Sequence, residues 1–192
     1  MAGVQIGLRD IHFAELIEDT KEAIEYETPE RIIGAIQATI TPTVNAETLF
    51  ADDGPSEVAS ALGDIEVALN VKDLPLPVQA KLLGHRFENG VILRSADDIA
   101  PYVALGFRSQ KSNGKDRFVW LYKGKFSVPE QDYTTKEDTP AFQTPTINGT
   151  FVKREHDNLW QVIGDEDEQD FLAGPTWFDS VFSEQETPGG GE

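Results

Sequence analysis

The amino-acid sequence is that of a mainly β protein, expected to form a β-sandwich or barrel-like sheet with one flanking short α-helix, a long loop and a short C-terminal helix. Apolar and polar residues alternate at period two through most of the 192 residues, the mark of half-buried strands. Helical periodicity appears in two short stretches, so the strands lack the interleaved crossover helices of a parallel sheet. The length suffices to bury a sizeable core as one domain. That domain is expected over residues 1–183, with a flexible Gly-rich tail over 184–192.

Taken in order, Val4, Ile6 and Leu8 alternate with Gln5, Gly7 and Arg9, after which Ile11 and Phe13 carry the pattern. A slip of one residue at Arg9-Asp10 is what a β-bulge produces. Thr20 to Thr28 is too charged for a core strand and reads as the tip of a protruding hairpin or loop. Alternation resumes with Ile36, Ala38 and Ile40 against Gln37, Thr39 and Thr41, and Pro42 marks a strand end or an edge. Residues 45–56 contain Asp52-Asp53-Gly54-Pro55, a strong turn signal, and read as a long loop. Ile65, Val67, Leu69 and Val71 then form the cleanest half-buried strand. Pro77, with Val78 and Leu82 on one face and Gly84 beyond them, predicts a short helix ending at the glycine. Strands return around Arg86–Arg94, Pro101–Ser109, Asp116–Val128, Ala141–Arg154 and Leu159–Gly164. In Phe118-Val119-Trp120-Leu121-Tyr122 both faces are apolar, which predicts a central strand covered on both sides. Thr176 and Asp179 have capping-box-like spacing, and Trp177, Phe178, Val181 and Phe182 predict a short docking helix.

The formal net charge of −18 argues against a conventional nucleic-acid binder, which sets Lys and Arg against phosphates. It also disfavours an anionic membrane surface, and no apolar run approaches bilayer length. The opening Met1-Ala2-Gly3-Val4-Gln5 has neither a basic cluster nor an apolar stretch, so no secretory leader is expected. The absence of cysteine excludes disulfides, thiolate metal sites and a cysteine nucleophile. The charge is segregated. Seven acids lie between Glu15 and Glu30, Glu18 and Glu22 among them, against the single base Lys21. Six bases, including Arg108, Lys111, Lys115 and Arg117, lie between Arg108 and Lys125 against the single acid Asp116. Asp165 to Asp170 is a further acidic block. Patches of opposite sign can meet between copies in a head-to-tail contact, or each can be a solvated face.

Catalytic motifs are missing: no phosphate-binding glycine fingerprint, no His-Glu-x-x-His and no nucleophile elbow. His12, His85 and His156 are isolated in sequence and read as structural or solvent-facing. Asp52-Asp53-Gly54 lacks the spacing of a calcium loop, and the turn reading is stronger. Glu155-His156-Asp157 specifies no nucleophile, and adjacent strand residues point to opposite faces. No enzyme activity, cofactor or metal is expected.

The order of the segments Ile6-Gly7-Leu8-Arg9-Asp10-Ile11-His12-Phe13-Ala14, Gly34-Ala35-Ile36-Gln37-Ala38, Thr48-Leu49-Phe50-Ala51-Asp52-Asp53-Gly54 and Gly63-Asp64-Ile65-Glu66-Val67-Ala68-Leu69 resembles the major tail (tail tube) proteins of long-tailed bacteriophages. Leu82-Leu83-Gly84, Tyr102-Val103-Ala104-Leu105-Gly106-Phe107-Arg108, the basic Phe118–Phe126 strand and Thr135-Lys136-Glu137-Asp138 extend the likeness over nearly the whole chain. The resemblance implies a tail-tube fold whose copies form hexameric rings, stacked into a tube in the virion after synthesis in the host cytoplasm. It implies contacts with tape measure, distal tail and terminator proteins, and DNA passing through the lumen without specific binding. It places a ring-stacking arm at the loop around Thr48–Ser56, and the flanking helix at Pro77–Leu83. Leu49, Phe50, Asp52, Asp53, Glu18, Glu22, Arg108, Lys111, Lys115 and Arg117 are the expected inter-subunit residues. An acidic lumen would repel phosphate.

Two other classes compete. A β-sandwich binding or decoration module for carbohydrate or protein would use Trp120, Trp160 and Trp177, and a sugar binder exposes coplanar aromatics. Trp120 and Trp177 are expected to be largely buried. A small hydrolase would need a pocket with a strongly perturbed carboxylate.

Overall fold

The computed structural model describes residues 3–51, 54–131, 133, 135 and 144–183. Its strands are β1 (Gln5–Asp19), β2 (Ile24–Tyr26), β3 (Glu30–Ile32), β4 (Ala35–Ala51), β5 (Gly54–Val71), β6 (Arg86–Glu88), β7 (Val91–Leu93), β8 (Val103–Lys111), β9 (Asp116–Phe126), β10 (Thr146–Val152) and β11 (Gln161–Asp165). One helix, α1 (Leu76–Leu83), follows β5. Nine strands make one antiparallel sheet in the order β2-β1-β8-β9-β10-β5-β4, with β3 also on β1 and β11 also on β9; β6 and β7 pair with each other.

Two strands serve as spines. β1 holds β8 along one edge, while β3 and β2 take successive parts of the other. β9 holds β8 on one edge and is met on the other by β11 at Arg117–Leu121 and β10 at Lys123–Phe126. β10 and β11 are thus one strand line interrupted by residues 153–160.

The alternation places Ile11, Phe13, Ile65, Leu69, Leu105, Leu121 and Phe151 on a common inner face, all buried. β1, β3, β5, β8, β9 and β10 all contribute to that cluster, so the sheet curls over a single core, as expected of a sandwich or barrel-like arrangement. Leu82 and Leu83 of α1 pack into it beside Leu74. Burying each such leucine contributes about 1.5–3 kcal/mol. Gly84 ends the helix at φ 69°, the left-handed conformation that a glycine adopts freely.

The opposite face of β9 is apolar too, and the C-terminal segment covers it. Trp177 and Val181 are buried on Phe118, Trp120 and Tyr122, with Phe171, Phe178 and Phe182 packed alongside. The indole N–H of Trp120 donates to the Trp177 carbonyl at 3.1 Å. This matches the central strand covered on both sides.

The Arg9-Asp10 slip is a bulge, with the register shifting between Arg9 and His12 and Asp10 at φ 53°. Of the two readings of Pro42, the edge holds: it sits opposite Ile65 within β4, which is the sheet edge. Two expectations need correction. Residues 45–51 and 54–56 are strand and not loop: β4 and β5 stay paired from Ala35↔Val71 to Ala51↔Gly54. Side chains of residues 43–49 and 57–62 are exposed on both faces, so no buried row marked the alternation there. The C-terminal segment is not an α-helix but a 3-10 turn at Gly174–Thr176 followed by turns, although its aromatics dock as expected. The tail expected at 184–192 and the segment Ala141–Gln143 lie outside the described residues.

Candidate assembly surfaces

The β4–β5 hairpin leaves the sheet beyond Pro42 and Ile65. A bulge between Pro42 and Val44 marks the departure, and β5 pairs with β10 no further than Ile65. Distal to that point every described side chain of β4 is exposed, as are those from Glu57 to Leu62 of β5. Pairing sorts the arm into two faces. Val44↔Leu62, Ala46↔Ser60 and Thr48↔Val58 form one; Asn45↔Ala61, Glu47↔Ala59 and Leu49↔Glu57 form the other. The first face is uncharged and largely apolar, with Val44 61%, Val58 68% and Leu62 42% exposed. Along β4 it continues the row of Ala38 and Ile40 that packs against the core. A two-stranded ribbon with an uncovered apolar face is marginal alone and marks an interaction surface.

The outer edge of β4 has no strand partner among the described residues. A 17-residue edge is a template for another chain. Across β4, β5 and β10, the face left open by the C-terminal segment is polar. Thr41, Glu66 and Thr150 stand in one cross-strand row, and Thr39, Ala68 and Asn148 in the next.

The expected contact residues divide into three groups. Leu49 lies on the arm and is 60% exposed. Phe50 is opposite Pro55 in the same ladder. Asp52 and Asp53 lie outside the described residues. Glu18 and Glu22 are exposed at the β1–β2 hairpin, whose turn is closed by the Thr20 N–H on the Ala23 carbonyl. Their neighbour Asp19 is buried instead, accepting from Lys123 Nζ at 2.6 Å and from the amides of Glu155 and His156.

The third group is the basic stretch, and its partners belong to the same chain. Arg108 bridges Asp10 at 2.5 Å and Asp116 at 3.0 Å, and Asp116 also takes Arg9 at 2.8 Å. Lys111, buried, is held by Asp165 and Asp167. Lys115 reaches the Glu166 carbonyl at 2.7 Å, and Arg117 reaches Asp165 at 2.7 Å. The basic stretch and the acidic block Asp165–Asp170 therefore join the β8–β9 hairpin to the segment after β11. The Lys111 ammonium holds the Asp167 carboxyl far below the usual carboxylate range. At Asp165, burial is outweighed by hydrogen bonds from Lys111, the Asp167 amide and Arg117, and its pKa falls as well.

No cluster that could hold a metal ion occurs among the described residues. His12 stacks on Phe178 at 4.3 Å, His85 pairs with Asp98 at 2.6 Å, and His156 donates to the Thr20 carbonyl. Trp120 and Trp177 are buried and Trp160 packs against the core, so the tryptophans form no exposed platform. The apolar face of the arm escaped sequence reasoning, although Val44-x-Ala46-x-Thr48 and Val58-x-Ser60-x-Leu62 carry its signal.

Residues 23–188 match a family model described as phage tail tube protein. No curated protein matches the chain.

Proposed function

The chain belongs to the phage tail tube protein family, and from that premise we propose that its copies close into rings, six to a ring as the family resemblance implies, and stack into the tube that conducts DNA. Membership gives the chain a structural role in the virion tail, in assembly with itself and with other tail proteins. It acts by assembling and catalyses no reaction.

The observation that carries this reading is the arm, whose uncovered face of Val44, Val58 and Leu62 gains a core only when another copy supplies one. Ring closure is assigned to the open edge of β4, which can extend the sheet into a neighbour. The open face of β4, β5 and β10 is assigned to the lumen. That face carries Glu66 among hydroxyl and amide groups, so repulsion of phosphate comes from the surplus of carboxylates over the ring as well. Tape measure, distal tail and terminator proteins are the expected partners, the last two at the tube ends, and synthesis is assigned to the host cytoplasm.

Electron microscopy of the purified protein over a range of concentrations tests the proposal, with rings or tubes expected. The double variant Val58→Asp/Leu62→Asp should keep the wild-type thermal midpoint, because exposed substitutions shift stability by about 0.5 kcal/mol or less. It should form no tubes. Tubes of normal length from that variant would remove the arm from the assembly.

A further inference from the structure

Glycine follows asparagine at three places in the chain, Asn89-Gly90, Asn113-Gly114 and Asn148-Gly149. The dipeptide is chemically labile, because glycine has no Cβ to keep its backbone nitrogen away from the asparagine side chain. All three asparagines are exposed, yet the fold treats their reacting atoms differently.

Asn148 and Gly149 lie inside β10. Gly149 stands between Val67 of β5 and Phe126 of β9, and the Asn148 carbonyl accepts the Ser127 N–H at 2.8 Å. An extended backbone paired on both edges cannot turn the Gly149 nitrogen toward the Asn148 amide carbon. Asn113 and Gly114 form the β8–β9 turn, where both reactants are engaged. The Gly114 N–H donates to the Lys111 carbonyl at 3.0 Å. The Asn113 amide donates to Asp167 at 2.8 Å and accepts the Lys115 N–H at 3.2 Å.

Asn89 and Gly90 have neither protection. They form the two-residue turn of the β6–β7 hairpin, at φ 51° and 80°, the left-handed pair that matches strand twist in tight hairpins. Neither the Asn89 side chain nor the Gly90 N–H has a hydrogen-bond partner among the described residues. The space beside Gly90 is open, with nothing within 4 Å of the place a Cβ would take. β6 and β7 are three residues each and pair only with each other. Such a hairpin opens at little cost, and opening lets the turn reach the cyclising geometry.

We propose that Asn89 is a site of spontaneous deamidation, selected by the fold from the three Asn-Gly pairs. The Gly90 backbone nitrogen loses its proton to solvent and bonds to the Asn89 Cγ. The bond from Cγ to the side-chain nitrogen breaks, and that nitrogen leaves as ammonia, taking a proton from water. A second water opens the cyclic imide. Addition at the side-chain carbonyl gives aspartate, and addition at the backbone carbonyl gives isoaspartate. Nothing is oxidised or reduced. Either product adds a carboxylate beside Glu88, which Arg86 already reaches at 3.5 Å. Isoaspartate also inserts a methylene into the main chain of the turn, and the Arg86↔Leu93 and Glu88↔Val91 pairing is lost with the turn geometry. This chemistry belongs to the single subunit and stands apart from the assembly reading.

The test is incubation of the purified protein in mildly alkaline buffer, dilute enough to stay unassembled, beside a sample unfolded in urea. Peptide mapping by mass spectrometry then follows asparagine, aspartate and isoaspartate at 89, 113 and 148 over time. In the folded protein, conversion at 89 should outpace that at 113 and 148 by about tenfold or more, while in urea the three rates should lie within about twofold. Folded protein in which 113 or 148 converts as fast as 89 overturns the proposal. So does an Asn89 that stays intact after the unfolded chain has converted, or a preference for 89 no greater in the folded protein than in urea.

Discussion

Gly106 lies in β8 directly opposite Trp120, and a Cβ built there would stand 2.6 Å from the indole ring. The ring cannot retreat, because Trp177 closes over it and accepts its N–H. Gly106→Ala is therefore expected to lower unfolding free energy by about 1–3 kcal/mol, measured by denaturant titration. A wild-type midpoint would show that the ring has room to move. The ionic groups set the response to acid. Burial lowers the pKa of His12, so the unfolded state takes up a proton first as pH falls through about 6.5, and stability declines from there. Asp165, Asp167 and Asp19 have folded pKa values below their unfolded ones. Their contribution is full above about pH 4 and disappears as pH falls through the folded values. Thermal midpoints from pH 8 to pH 3 should show a shallow and then a steep decline. Lys111→Met should weaken the steep stage and lower the midpoint at neutral pH; an unchanged pH profile would show that the Lys111–Asp165–Asp167 cluster adds nothing to stability.

The hairpins and the strands of the core obey different rules. Core strands pair on both edges and bury one or both faces, whereas the distal arm has one strand neighbour and buries neither face. Amides of 43–62 should accordingly exchange fast in free subunits and slow markedly on assembly, read by hydrogen–deuterium exchange. Equal exchange in the two states would mean that the arm stays uncovered in the tube. α1 illustrates a readily foreseen element, since a proline near its start, one apolar stripe and a terminal glycine all agree. The arm illustrates the opposite. Its period-two signal is carried by Val, Ala, Thr and Ser, and no core enforces it, so the acidic turn residues dominate the local composition and suggest a loop.

A net charge of −18 on each subunit multiplies when copies meet, and a tube of such subunits presents a repulsive field to nucleic acid. Purified protein should leave duplex DNA unshifted in electrophoresis at about 0.1 M salt, where nonspecific basic binders retard it. A clear shift would refute the inert-conduit reading. The same charge has to be overcome for copies to join. The internal pairing of Arg108, Lys111, Lys115 and Arg117 commits four of the 16 basic residues to partners within their own subunit, which raises the weight carried by apolar burial on the arm.

Strand content, the central doubly covered strand, the bulge at Asp10 and the α1 termination were all written in local residue order, because period and turn chemistry act over a few positions. The resemblance to tail tube proteins was also visible there. The partners of the charged patches were not. Lys111 and Asp165 are 54 residues apart, and only the pairing of β11 with β9 brings them together. A cation bound within its own subunit and one left for a neighbour look alike in sequence, since Coulomb attraction depends on distance in space and on burial. Tertiary structure alone decided that the basic stretch finds its carboxylates within the subunit, at Asp10, Asp116, Asp165 and Asp167, and that an apolar side of a hairpin is left uncovered.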